Sequence, residues 1–148
     1  MNARLSLVLL IAALAACSPK GPAGVDKSAL DAEIGEAVGD PATCVLIADA
    51  KGEQVYRFGT HAGCGRKLPA CQGEALRSTE DLLAEVAKAG AFTPASCRSL
   101  QADRGVAWAA GPIAGRPLVY AAVMEGPAIP PGRVIAEKLA GAFRRAGL

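Results

Sequence analysis

Apolar residues run from Leu5 to Ala16 with only Ser6 interrupting, and no other stretch of the chain is so uniform. Beyond it the pattern becomes periodic. Leu30, Ile34, Ala37 and Val38 recur at helical spacing behind Ser28-Ala29-Leu30-Asp31, which has the form of a capping box with Asp in the Glu position. Gly35 weakens that helix and Gly39-Asp40-Pro41 stops it. Cys44 to Ala48 is an apolar run, Asp49 to Gly52 a turn, and Gln54 to Phe58 alternates, so a hairpin is expected. Gly59 to Leu76 reads as a long connection. Ser78-Thr79-Glu80-Asp81 caps a second helix with Leu82, Leu83 and Val86 on its apolar side and Gly90 at its end. Thr93-Pro94 is placed to start one further helical turn carrying Cys97. Val106 to Ala110 reads as a strand ended by Gly111-Pro112. Leu118 to Met124 is apolar in both phases, as in a strand covered on both faces. Three prolines between Glu125 and Gly132 impose a loop, and a last helix begins near Arg133 with Val134, Ile135, Leu139 and Phe143 on one stripe.

The order α-β-β-α-β-β-α predicts an α+β domain: a small antiparallel sheet of about four strands with helices packed on it. In outline this is similar to roadblock and profilin-like modules. It is also similar to the sheet lobe of penicillin-recognising serine hydrolases. Both likenesses span most of residues 26–148 and rest on element order, which hosts many functions. The hydrolase likeness demands a serine followed three residues later by lysine. Ser28 is followed at that distance by Asp31, Ser78 by Asp81, Ser96 by Ser99 and Ser99 by Ala102, and no Lys-Thr-Gly strand occurs. That chemistry is not expected.

The apolar leader follows one positive charge, Arg4, and ends in small residues, the order of a secretory signal peptide. Twelve helical residues rise only about 18 Å, short of a roughly 30 Å hydrocarbon core. Its last four residues, Leu14-Ala15-Ala16-Cys17, resemble the lipobox of bacterial lipoproteins. That resemblance implies cleavage before Cys17, a diacylglyceryl group on its sulfur, and a membrane partner reached through lipid. Residues 1–16 are then the signal peptide, 17–25 a lipidated tether rich in Pro and Gly, and 26–148 a single domain. Ser18 after the cysteine, rather than aspartate, implies the outer membrane in bacteria that follow the enteric sorting rule.

Removing the leader takes the 148 residues to 132 and the 16 basic residues to 15, against 14 acidic ones. So even a balance argues against a nucleic-acid partner. With Cys17 acylated, Cys44, Cys64, Cys71 and Cys97 remain, and an even set in an exported domain implies two disulfides. Cys64 with Cys71 would close a small Gly- and Pro-containing loop and leave Cys44 with Cys97. The pairing Cys44–Cys64 with Cys71–Cys97 fits the sequence almost as well. Zinc is disfavoured, since no C-x-x-C pair exists and His61 is the single histidine.

Chemistry is sparse. His61 and Cys64 form the one close nucleophile-and-base pair, which requires a free thiolate that an oxidised cysteine set would remove. Asp103 and the Glu125-Gly126 pair stand near strand ends, where carboxylates usually serve turns. Gly63-Cys64-Gly65 lacks the third glycine of a phosphate loop. Arg66-Lys67-Leu68-Pro69, if bracketed by a Cys64–Cys71 bond, would be a pre-stiffened basic binding loop. The expectation is a lipid-anchored envelope protein with no cofactor or metal, acting as a non-enzymatic binding or assembly factor for an envelope protein partner. Its rivals are a small enzyme with His61 in its site and an inhibitor presenting the Cys64–Cys71 loop to a hydrolase.

Overall fold

The computed structural model describes residues 21–148; the leader and Cys17 lie outside the described residues. In chain order the elements are α1 (Lys27–Val38), β1 (Cys44–Asp49), β2 (Gln54–Phe58), α2 (His61–Gly65), β3 (Leu68–Pro69), β4 (Leu76–Arg77), α3 (Thr79–Ala89), β5 (Ala95–Arg98), β6 (Gly105–Pro112), β7 (Leu118–Gly126) and α4 (Gly132–Arg145). Five strands form one antiparallel sheet in the order β2-β1-β7-β6-β5, and β3 pairs with β4 alone. The class is the expected α+β, with one strand more in the sheet.

The sheet is centred on β7 because that segment is apolar in both phases. Tyr120, Ala122 and Met124 face one core, shared with Leu30, Ile34 and Val38 of α1 and with Ile135, Leu139 and Phe143 of α4. Ala121 and Val123 face a second core, shared with Leu82, Leu83 and Val86 of α3. The strand is thus buried between two helical layers. Tyr120 stacks edge-on against Phe143 with ring centroids 5.2 Å apart, and burial pushes its hydroxyl up to about 12. On β2, Tyr56 donates to Asp31 Oδ1 of α1 at 2.7 Å, and burial with that carboxylate raises its pKa.

Three local expectations change. Helix α1 starts before the Ser28 box: Asp26 is its N-cap and accepts from Ala29 N at 2.8 Å, satisfying one of the free amides of the first turn. The expected helical turn after Thr93-Pro94 is strand β5, since Ala95 to Arg98 pair in register with Trp108 to Gly105. A ladder satisfies those backbone groups, whereas a single turn leaves most of them open. The long connection after Gly59 holds α2 and the β3–β4 ladder. The second capping box forms as expected: Ser78 Oγ accepts from Asp81 N, the Asp81 carboxylate accepts from Ser78 N, and Gly90 ends α3 at φ +74°.

Helix α4 receives no cap from its own N-cap residue, Pro131, and presses its first residue onto the sheet. A Cβ on Gly132 would lie 2.8 Å from the Ala95 carbonyl oxygen and collide with that of Trp108. Ser96 Oγ accepts from Gly132 N at 2.8 Å, which places the helix end beside β5.

Candidate functional site

Residues 64 to 71 lie as a strap across the α3 face of the sheet, with one fixed contact to each of four strands in succession. Cys64 is bonded to Cys44 of β1. Arg66 is ion-paired with Glu125 of β7. The Pro69 carbonyl accepts from Trp108 Nε1 of β6 at 2.7 Å. Cys71 is bonded to Cys97 of β5. Between these points Lys67 pairs with Asp81 of α3, and Leu68, 3% exposed, enters the second core. The strap order matches the strand order β1-β7-β6-β5.

This arrangement decides between the two cysteine pairings that the sequence left open, and corrects the loop expectation that rested on one of them. The bonds are Cys44–Cys64 and Cys71–Cys97, not Cys64–Cys71 with Cys44–Cys97, because α2 turns Cys64 into the sheet while Cys71 sits beyond β3, over the opposite edge. Arg66, Lys67, Leu68 and Pro69 are therefore not a small projecting loop closed on itself. They are laid down on the sheet, and only the Arg66 and Lys67 side chains remain substantially exposed.

Glu125 is the residue this site is built around, and reading it as a turn carboxylate missed it. It is 2% exposed and stands on β7 in phase with Ala121 and Val123, so alternation alone points it into the α3 face. Arg66 pairs with one carboxylate oxygen and Ser99 Oγ donates to the other. Arg104 Nη2 donates to the Glu125 carbonyl at 3.1 Å, while its Nε is buried with no partner among the described residues. Across the strands, Val106 stands opposite both Glu125 and Cys97, so the pair adjoins the Cys71–Cys97 bond. A buried carboxylate costs several kcal/mol unless paired and hydrogen-bonded; here one guanidinium and one hydroxyl supply both needs.

His61 and Cys64 do not form a dyad. The Cys64 sulfur is in a disulfide and fully buried, and His61 is exposed, its ring within 2.8 Å of the Arg57 guanidinium. Among the described residues no cluster of three or more His, Cys, Asp or Glu could hold a metal, and no helix is long and apolar enough to cross a membrane. No protein family, curated protein or solved structure matches the chain. The chemistry of the surface has to be read from its own residues.

Two concavities stand out. One, of about 90 Å³ between α4 and the β6–β7 connection, is lined by Ile113, Tyr120, Phe143 and Leu148 and is well below the size of a small-molecule pocket. The other is an open depression of about 520 Å³ at the β5–β6 turn, lined by Arg98, Leu100, Gln101, Arg104 and Pro127. That turn is closed by Ser99 N donating to Arg104 O at 2.9 Å, with Asp103 in the left-handed region at φ +60°. It sits directly beyond the Ser99–Glu125–Arg66 contacts.

Proposed function

We propose that the chain is a lipid-anchored protein of a bacterial cell envelope, held in the outer membrane through Cys17 and facing the periplasm, where its domain acts as a non-enzymatic binding or assembly factor. The anchor reading is supported by the lipobox Leu14-Ala15-Ala16-Cys17 and the tether behind it. The observation that carries the exported part is the pairing of all four remaining cysteines in two disulfides, which persist in oxidising compartments. The same observation weighs against both rivals. An enzyme with His61 as base lacks its sulfur nucleophile, and an inhibitor presenting a Cys64–Cys71 loop lacks that loop.

The test is expression with an alkyne-tagged fatty acid, comparing the wild type with Cys17→Ala. The wild type is expected to take the label, float with membranes, and fractionate with the outer membrane on a density gradient. The variant is expected to lose the label and either keep its leader or leave the membrane fraction. Unchanged labelling and retention in Cys17→Ala would remove the anchor, and a wild type found only in the inner membrane would reverse the placement.

A further inference from the structure

We propose that the β5–β6 turn is a docking surface for a protein segment that presents a carboxylate beside an apolar side chain. Two features meet there, an exposed apolar side chain and arginines without a carboxylate partner. Leu100 is 69% exposed, the most exposed large hydrophobic side chain among the described residues. Arg98 and Arg104 line the depression beside it with no carboxylate partner among the described residues; Arg104 is already tied through Nη2 to the Glu125 carbonyl, so the exposed Arg98 is the guanidinium open to a ligand. Asp103 is the one acidic side chain lining the same depression, so the local balance stays positive. A carboxylate is the planar group a guanidinium recognises through two parallel bonds, and an apolar neighbour on the partner would cover Leu100.

The turn is also held before any partner arrives. The Cys71–Cys97 bond fixes the strand on one side, Ser99 is tied to Glu125, and Arg104 Nη2 is tied to the Glu125 carbonyl. A loop already ordered loses less entropy on binding, so a short contact can suffice. Interfaces concentrate their energy in a few anchors, among which arginine is enriched.

This inference rests on the reading of the chain as a binding factor but not on its lipid anchor. The experiment is selection of random displayed peptides on the full chain in detergent micelles, followed by affinity measurement of the enriched peptides on wild type, Leu100→Asp and Arg98→Glu. Both substitutions are at exposed positions, and an unchanged melting midpoint confirms that each variant is folded. The expected result is a consensus with Asp or Glu next to Leu, Ile or Phe, whose affinity falls at least about tenfold in each variant. Peptides that bind both variants as well as wild type would overturn the docking surface while leaving the binding-factor reading in place. A consensus without acidic residues, or no enrichment at all, would overturn it too. Loss of binding to anionic phospholipid vesicles in the same variants, with no peptide enriched, would assign the turn to a lipid headgroup instead.

Discussion

The guanidinium of Arg66 is paired with the carboxylate of Glu125, 59 positions further along the chain. The pair is asymmetric: the Arg66 side chain is 42% exposed and that of Glu125 only 1%. Removing the arginine strands a charge, whereas removing the carboxylate leaves a guanidinium that water can reach. Breaking a buried pair costs about 3–5 kcal/mol, and the solvent beside Arg66 brings the expectation for Arg66→Ala down to about 2 kcal/mol. Glu125→Gln is expected to cost less. In urea unfolding the double variant should cost less than the two single costs added, by at least about 0.5 kcal/mol. Strictly additive costs would mean that the two side chains do not act as a pair.

Acid should loosen the strap from α3. The Lys67 ammonium, with the Ser78 amide behind it, lowers the Asp81 pKa from 3.8 to about 2. A carboxyl lowered in the folded state adds stability that is full above its unfolded pKa and is lost as pH falls through the folded one. The window is therefore about pH 4 down to 2. Asp81 is half exposed, so the effect is modest and weakens with added salt. Urea midpoints measured from pH 7 to 2 should show this fall in wild type and lack that part of it in Asp81→Ala. The variant should also be about 1 kcal/mol less stable at pH 7 from loss of its half of the capping box. Parallel pH curves for the two proteins would contradict the Lys67–Asp81 contact.

Two glycines at helix ends should respond differently to alanine. At Gly132 the new methyl meets the Trp108 and Ala95 carbonyls, which belong to paired strands and cannot give way. At Gly90 it meets open space and suffers only the cost of φ +74°. Gly90→Ala is expected to cost about 1 kcal/mol and Gly132→Ala at least about 2 kcal/mol. Equal thermal shifts would show that α4 does not press on the sheet.

The periodic parts of this fold are legible in the sequence because they are local. The double-phase apolar run of β7, the Ser78–Asp81 box and Gly90 each carry their signal within a few residues. Strand β5 does not: four residues, Ala-Ser-Cys-Arg, are too few for a period, and Thr93-Pro94 ahead of them signals a helix start. The strap is less legible still. Arg66–Glu125 and Pro69–Trp108 join positions 59 and 39 apart, and no spacing rule links them. Glu125 was within reach, since its phase with Ala121 and Val123 marks it as inward-facing. Its proximity to Gly126 and the prolines outweighed that phase. The cysteine pairing depended on α2, a five-residue helix with no apolar period of its own.

The two disulfides should open in order. Cys44 and Cys64 are 1% and 0% exposed, while Cys71 and Cys97 are only partly buried. Attack by a dithiol needs access to a sulfur, so mild reductant is expected to open Cys71–Cys97 first. Spans of 20 and 26 residues give nearly equal loop terms, about 3–3.5 kcal/mol each, so a difference in rate reports access rather than stability. Opening that bond frees the β5 end of the strap and the Pro69 carbonyl over Trp108, the only tryptophan. Its emission should shift to longer wavelength in step with alkylation of Cys71 and Cys97. Alkylation of all four cysteines at one rate would contradict this order.

The strap itself can be tested without a variant. Trypsin cuts after Lys51 and Arg57, after Arg66 and Lys67, and after Arg77 and Lys88, which places each of the four cysteines on a separate peptide. Mass spectrometry of the non-reduced digest is expected to show 28–51 joined to 58–66 and 68–77 joined to 89–98, as Cys44–Cys64 and Cys71–Cys97 require. Finding 58–66 joined to 68–77, or either of these peptides with a free thiol, would contradict the account of a strap stapled at both ends.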